Sequence, residues 1–331
     1  MATYTKKNLT LSLCATLLLS ACQPPTKSTV KPTVIQEARI FGRGGPSADL
    51  PRLQHAANEN DPIGQCELAF IYQMGEGVPK NPILALNLYQ KAATAGYAKA
   101  EYELGLMYRN GDGMAMPDYS LARSWLQKAA AQNDARATYE LGSLYELGQG
   151  APKDDTQALY WYKQSAELGE PKAAYKLGQF FENGYGVAKD DTQAFNWYQK
   201  AANQGILPAQ ETLATFYAHG QGVSKNTNQA LYWLQRSASI GNAHAAERLG
   251  LIYLSGYDIS KNVEQAFYWF QQAAYSGDAA AQTVLGMMYL EGQGTAKNVP
   301  QARHWLQRAA NQGNEHAQTA LKMLPPLPAT S

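Results

Sequence analysis

Residues 137–169 read ATYELGSLYELGQGAPKDDTQALYWYKQSAELG, and this stretch contains two helical patterns separated by a glycine turn. The first half places alanine, leucine and tyrosine on one helical stripe and ends at Gly148 and Gly150, where glycine favours a left-handed turn. Acidic residues then suit a helix N-terminus, and a second stripe of alanines around Trp161 ends at Gly169. The stretch therefore predicts two helices that pack through small and aromatic side chains.

The same unit occurs seven times along the chain. An aromatic residue follows a leucine by four positions, at intervals of 36 or 37 residues, in Leu68/Tyr72, Leu104/Tyr108, Leu141/Tyr145, Leu177/Phe181, Leu213/Tyr217, Leu249/Tyr253 and Leu285/Tyr289. The six tryptophans also recur every 36 residues, at Trp125, Trp161, Trp197, Trp233, Trp269 and Trp305. Leu88 takes the tryptophan position in the first copy, and an extra residue near Met114–Pro117 explains the single longer interval. Such a period predicts a repeat protein.

The unit resembles the Sel1-like repeat, a relative of the tetratricopeptide repeat. The resemblance is carried by Tyr145, Gly148-x-Gly150, Asp155, Ala158, Trp161-Tyr162, Ala166 and Gly169. It implies an all-α fold, a right-handed α-solenoid of two-helix repeats of about 36 residues. Two copies depart from the pattern, because Asp258 replaces the second glycine in copy six and copy one lacks the tryptophan. We expect the tryptophans to lie in the core.

Five segments are expected along the chain. They are a signal peptide (1–21), a lipidated cysteine with a flexible tether (22–46), an N-terminal capping helix (47–62), seven repeats (63–313), and a C-terminal capping half-repeat with a proline-rich tail (314–331). The caps are expected because the terminal units of a solenoid need a polar outer face.

The N-terminus has the pattern of an export signal. Lys6 and Lys7 precede an apolar run at 9–19, which is too short to span a membrane and suits a secretory signal. The following Leu19-Ser20-Ala21-Cys22 resembles the lipobox of bacterial lipoproteins, which implies lipidation of Cys22. The alternative is an ordinary secretory signal with a chance cysteine. Because Gln23 is not aspartate, the resemblance implies the outer membrane, with the protein facing the periplasm or exposed on the surface.

Composition and motifs favour a binding protein over an enzyme. The 331 residues carry a net charge of +1, which argues against a nucleic-acid binder, whose affinity depends on phosphate neutralisation. The five histidines are scattered, and no metalloprotease, nucleophile-elbow or phosphate-loop motif is present. The sequence therefore predicts no catalytic residues, no metal and no cofactor. After processing, Cys66 would be the only free thiol, and it is interpreted as a small apolar helix residue.

A partner site is predicted on the first helix of each unit. Positions two before, two after and five after the repeated leucine vary most between copies, and the resemblance implies that first helices line a concave groove. The candidate partner-binding residues are Tyr102, Arg109, Tyr139, Glu146, Tyr175 and Glu182. Aromatic rings would supply contact area and the charges would set register on a bound peptide. The alternative is that these tyrosines pack between adjacent first helices.

Two functions fit these observations. The first is a non-enzymatic scaffold or adaptor, held in the bacterial envelope by its lipid, that binds another envelope protein or a peptide in the concave groove. The alternative is an accessory lipoprotein of the cell wall, binding peptidoglycan, or of an exopolysaccharide machinery. Residues that bind muropeptides would converge in one pocket, whereas the variable positions are distributed along the chain.

Overall fold

A computed structural model describes residues 46–324, which contain 16 α-helices and no β-strand. In chain order these are α1 (Pro46–Asn58), α2 (Pro62–Met74), α3 (Pro82–Thr94), α4 (Ala98–Asn110), α5 (Tyr119–Ala131), α6 (Ala135–Leu147), α7 (Asp155–Glu167), α8 (Pro171–Asn183), α9 (Asp191–Asn203), α10 (Leu207–His219), α11 (Thr227–Ser239), α12 (Ala243–Ser255), α13 (Val263–Tyr275), α14 (Ala279–Glu291), α15 (Val299–Asn311) and α16 (Glu315–Lys322). The predicted all-α fold of two-helix repeats is confirmed.

The described residues form two compact units, 46–209 and 210–324. Within each unit, helices that are consecutive in the chain pack against one another, as α2 does with α3 and α12 with α13. The even-numbered helices α2 to α14 are the first helices of the seven repeats, and the odd-numbered helices α3 to α15 are the second helices. Pro46, predicted in the tether, begins α1, and Pro62, predicted in the capping segment, begins α2.

Helix boundaries follow from capping side chains. Aspartate or asparagine stands at the N-cap of most helices, and Asp154, for example, accepts hydrogen bonds from the backbone N–H groups of Thr156 and Gln157. Such caps satisfy N–H groups that have no partner inside the helix. At the other end, Gly148 has φ of 67° and ends α6. In the first helices, such as α6, a capping aspartate at one end and a left-handed glycine at the other thus define the 13-residue length.

The largest fully buried side chain of each second helix is the residue after the tryptophan position. This position holds Tyr89, Leu126, Tyr162, Tyr198, Leu234, Phe270 and Leu306. In the fourth repeat, the ring of Tyr198 packs against Gly178 of the first helix, where an added Cβ would come within 2.5 Å of the ring. Glycine at this point of the first helix therefore lets the two helices approach closely.

The tryptophans only partly fulfil the prediction that they lie in the core. Trp233 and Trp305 are buried, with 4% of Trp233 exposed, but the other four are half-buried. Tryptophan and the residue after it are adjacent on a helix, so they point in different directions, and the following residue occupies the interior. The core is completed by alanines, as in a tightly packed helix pair.

The loop inside each repeat contacts the preceding repeat. Gly150 has φ of 71°, and a Cβ there would lie 2.4 Å from the backbone oxygen of Tyr119 at the start of α5. A side chain is excluded for both reasons. In copy six, Asp258 adopts φ of 58° and its carboxylate lies 2.6 Å from the ammonium group of Lys225 in the preceding loop. Asp258 occupies the position at which the other copies have glycine.

Several predictions lie outside the described residues. They are the signal peptide, Cys22, the tether up to residue 45, and the tail from residue 325. Between residues 46 and 324, no helix has both the length and the apolar character needed to cross a membrane. Cys66 is buried, and burial raises the pKa of its thiol to about 12, in keeping with the interpretation of this residue as a small apolar helix residue.

Candidate functional site

The three predicted tyrosines lie at equivalent points of α4, α6 and α8 in the unit 46–209. Each is half-buried. The ring of Tyr139 lies 5.4 Å from that of Tyr162, and the ring of Tyr175 lies 5.6 Å from that of Tyr198. The guanidinium group of Arg136 lies 4.4 Å from the ring centre of Tyr102, a cation–π contact. We call the six predicted residues Tyr102, Arg109, Tyr139, Glu146, Tyr175 and Glu182 the first-helix face.

The charged members of the first-helix face are also held by neighbours. Glu146 accepts a hydrogen bond of 2.5 Å from the hydroxyl of Tyr162 and two bonds of 2.9 Å from the ammonium group of Lys176. Glu182 accepts a hydrogen bond of 2.5 Å from the hydroxyl of Tyr198. These bonds connect the end of a first helix to the second helix of the same repeat, and Lys176 adds a link to the next repeat.

Arg109 also connects two neighbouring repeats, and here the residue of the first-helix face carries the positive charge. Its guanidinium group is hydrogen-bonded to the carboxylate of Glu140, and it donates a 3.2 Å bond to the hydroxyl of Ser143. Burial raises the pKa of Glu140, and the nearby Arg109 opposes that rise. Arg109 and Glu140 therefore hold each other in a fixed, partly desolvated position on neighbouring first helices.

Burial also keeps the tyrosine hydroxyls protonated. It raises the pKa of Tyr139 and of Tyr162 above the ordinary tyrosine value, and the charge of Glu146 raises that of Tyr162 further. Both hydroxyls are therefore neutral hydrogen-bond donors at any physiological pH. The Tyr162 hydroxyl is already bonded to Glu146 inside the core, and neither hydroxyl is available as a general base.

The structure changes how these tyrosines are understood. The sequence left open whether they form a groove or pack between adjacent first helices. Tyr139 and Tyr175 pack against tyrosines of the second helix in their own repeat, and each side chain remains partly exposed. The six predicted residues do not converge on one pocket. They form a series of equivalent surface points, one pair on each of α4, α6 and α8.

Sequence analysis missed the second-helix partners Tyr162 and Tyr198, although a signal was present. The position after tryptophan and the position five after the repeated leucine vary together. Polar pairs are Tyr89/Gln73, Tyr162/Glu146 and Tyr198/Glu182, and apolar pairs are Leu234/Ala218, Phe270/Leu254 and Leu306/Leu290. The Tyr89 hydroxyl donates to Gln73, as the other pairs predict. Leu126 departs from this pattern, because it is apolar and its counterpart Arg109 is charged. The guanidinium group of Arg109 is hydrogen-bonded to Glu140 instead.

A second polar cluster lies on the first helices of the unit 210–324. Nδ1 of His244 lies 2.6 Å from the carboxylate of Glu211, which is also hydrogen-bonded to the side-chain amide of Asn242. Burial raises the pKa of Glu211, but the bonds from His244 and Asn242 outweigh it, so the pKa is lowered overall. The bond to Glu211 raises the pKa of His244. One repeat further on, burial raises the pKa of Glu247 to about 7.

Metal binding was also tested on the geometry. Within residues 46–324, no three histidine, cysteine, aspartate or glutamate side chains lie close enough together to hold a metal ion. The His244–Glu211 pair supplies two such groups only.

Comparison with known proteins found one family and several related structures. A family model described as Sel1 repeat matches residues 62–97, 98–134, 135–170, 171–206, 207–242, 243–278 and 279–314. A protective antigen with an SLR fold from uropathogenic Escherichia coli is 32% identical, with a TM-score of 0.70, over 83% of this chain and 59% of that one. A Sel1 repeat protein from Oxalobacter formigenes is 30% identical, with a TM-score of 0.71, over 84% of this chain and 81% of that one.

The match to the Escherichia coli antigen is partial in length, because this chain spans less than two thirds of that protein. A search among curated proteins found no match.

Proposed function

The chain belongs to the Sel1 repeat family, whose members are generally protein-interaction scaffolds, and we propose that it is a lipid-anchored scaffold of the bacterial envelope. Its partner would be a segment of another envelope protein, bound along the first-helix face of residues 46–209. The lipid on Cys22 would hold the protein at the outer membrane, facing the periplasm.

One observation carries the binding proposal. Three partly exposed tyrosine rings lie at the same position of three successive first helices, and each is held in place by a neighbouring side chain. Tyrosine gives a large amphipathic contact at a low entropic cost, because little freedom is lost when the ring is already fixed. A partner segment that crosses these helices would meet one ring in every repeat.

Charge would set the direction of the bound segment. Arg109 stands beside Tyr139, whereas Glu146 and Glu182 lie further along the chain on α6 and α8. A peptide with acidic residues towards one end and basic residues towards the other would therefore match this face in only one orientation. Because each charge already has an internal partner, such a peptide would extend existing ion pairs without uncovering a buried charge.

Site-specific photo-crosslinking in the native envelope tests the proposal. A photoreactive side chain replaces Ser143 or Gln179, which lie among the first-helix face, and replaces the exposed Gln157 on α7 as the control. Crosslinked products are identified by mass spectrometry. We expect one protein to be captured from positions 143 and 179, and not from 157. Capture from 157 alone, or no protein captured from 143 and 179, would contradict the proposed face.

Variants then connect the captured protein to particular rings. Tyr175→Ala should weaken capture about tenfold or more, as the loss of an aromatic anchor does. Tyr160→Ala is the matched control, because Tyr160 lies on a second helix and is half-exposed. A parallel sedimentation with purified sacculi tests the cell-wall role: if the protein sediments with sacculi and captures no protein, the scaffold proposal is wrong.

A further inference from the structure

The second helices of residues 210–324 share a surface pattern that contains none of the residues of the first-helix face. The sequences are QALYWLQR at 229–236, QAFYWFQQ at 265–272 and QARHWLQR at 301–308. Before each tryptophan stands an exposed ring, Tyr232 (50% exposed), Tyr268 (47% exposed) or His304. Four positions before each tryptophan stands an exposed glutamine. We call the residues Tyr232, Arg236, Tyr268, Gln272, His304 and Arg308 the second-helix row.

The rings of the second-helix row are fixed by the tryptophans beneath them. Tyr232 meets Trp233 edge to face at 5.3 Å, Tyr268 meets Trp269 at 4.9 Å, and His304 meets Trp305 at 5.3 Å. Edge-to-face contacts of this kind stabilise an aromatic pair. The exposed rings are therefore pre-organised, and a ligand that stacks on them pays little to order them.

Tyr275 makes the aromatic surface continuous between two helices. It stands at the end of α13, and its ring packs edge to face on Trp305 of α15 at 5.1 Å. It is also well exposed. Rings with this exposure gain little from burial, and a glutamine or an asparagine would suit a solvated helix equally well.

Charge separates the two sets of helices in this unit. The second helices α11, α13 and α15 carry Arg236, Arg303 and Arg308 against Glu264, which gives three minus one, or +2. The first helices, from residue 210 onwards, carry one basic residue, Arg248, against Glu211, Glu247 and Glu291, which gives one minus three, or −2. The guanidinium groups of Arg236 and Arg308 lie 5.3 Å and 5.1 Å from the rings of Trp233 and Trp305. Positive charge thus accompanies the second-helix row.

We propose that the second-helix row binds a strand of acidic polysaccharide. Tyrosine rings stack on the C–H faces of pyranose rings, and the glutamine amides both donate and accept hydrogen bonds, as sugar hydroxyls require. Arginine pairs with the carboxylate groups of uronic acids. A regular polymer suits this surface because a ring and a polar or basic side chain recur at the same positions of the three second helices, and several weak contacts in register add up to useful avidity.

The proposal is independent of the first-helix face, which lies in the other unit. Its test is affinity electrophoresis of the full chain through gels that contain polygalacturonate, with dextran gels as the neutral comparison. We expect retardation by polygalacturonate that decreases with added salt, and weaker retardation by dextran. Tyr232→Ala combined with Tyr268→Ala should weaken binding to polygalacturonate about tenfold or more. Arg236→Gln combined with Arg308→Gln should abolish the preference for the acidic polymer.

The matched control is Tyr257→Ala. Tyr257 lies in the same unit, is 70% exposed and stands in the loop between α12 and α13, outside the second-helix row. Its removal should leave retardation unchanged, and circular dichroism of every variant checks that the helices remain. The proposal is overturned if polygalacturonate does not retard the wild-type chain, if dextran retards it equally, or if Tyr257→Ala weakens binding as much as the tyrosine pair. Sedimentation with anionic lipid vesicles, without binding to polygalacturonate, would also overturn it.

Discussion

The hydroxyl of Tyr162 donates a 2.5 Å hydrogen bond to the carboxylate of Glu146. The same bond, with the same length, joins Tyr198 to Glu182 in the next repeat. Glu146 also accepts from Lys176 on the following first helix. The Glu146 carboxylate therefore connects the packing inside one repeat to the packing between two repeats. In both tyrosine–glutamate pairs, the buried tyrosine is the donor.

Tyr162→Phe should destabilise the protein by about 2 kcal/mol. The change removes a hydrogen bond to a charged acceptor, which typically contributes about 1.5–3 kcal/mol, and leaves the ring in place. Urea denaturation of both proteins measures the difference. Tyr160→Phe, on the exposed side of the same helix, is the control and should change stability by less than about 0.5 kcal/mol. Equal effects of the two substitutions would show that the bond to Glu146 contributes nothing to stability.

Tryptophan truncations should differ between repeats. Trp233 is almost fully buried, so Trp233→Ala should cost about 3–5 kcal/mol. Trp197 is half-buried, so Trp197→Ala should cost roughly half as much, since less apolar surface leaves water there. Denaturant unfolding of the two variants tests the ranking. A larger loss for Trp197→Ala would mean that its exposed half is covered in the folded protein.

Glu247 should make stability depend on pH. Burial, together with the nearby charge of Asp278, raises its pKa from 4.5 to about 7, although His244 and Arg248 oppose the rise. Between pH 4.5 and 7 the folded state holds a proton that the unfolded chain has lost, so stability falls as pH rises, by up to about 3 kcal/mol.

Glu247→Gln removes this effect. Compared with wild type, the variant should have a higher melting temperature at pH 8 and a similar one at pH 4.5. Glu264→Gln, which changes an exposed glutamate on α13, serves as the control. If both variants shift the melting temperature equally at pH 8, general charge and not the burial of Glu247 is responsible.

Cys22→Ala should release the protein from membranes. If Cys22 carries the lipid, the variant cannot be acylated, and fractionation should move it from the membrane pellet to the soluble fraction. Metabolic labelling with a fatty acid should mark the wild type and not the variant. Cys66→Ala is the matched control, because Cys66 is buried in α2 and should have no influence on fractionation. A variant that is still labelled and still sediments with membranes would disprove the anchor.

The fold could be predicted because the two-helix unit occurs seven times in the sequence. A single copy gives an ambiguous helix pattern, but recurrence at a fixed interval removes the ambiguity and also locates the loops. Helix ends followed from the same comparison, since Asp154 and Gly148 have counterparts at equivalent points in other copies.

The identity of the buried residue did not follow from repetition. Trp161 and Tyr162 are both aromatic and both recur in the next copy, so their periods are identical. What distinguishes them is the side chain that each faces on the first helix, which is a matter of packing between helices. Glu146 was predicted correctly as a surface position of the first helix, but its hydrogen bond to Tyr162 depends on that packing.

The contact between Gly150 and the start of α5 has a consequence for how the chain is made. The glycine lies 31 residues after Tyr119, and the same separation joins Gly186 to Asp155 and Gly294 to Val263. Each repeat is therefore covered by a loop of the next repeat, which has not yet left the ribosome when the second helix of the covered repeat emerges. Assembly of neighbouring repeats within each unit would proceed in one direction, from N- to C-terminus, with a lag of about one unit. The natural cutting points for shortened versions are thus after these loops, not at the boundaries that the sequence period suggests.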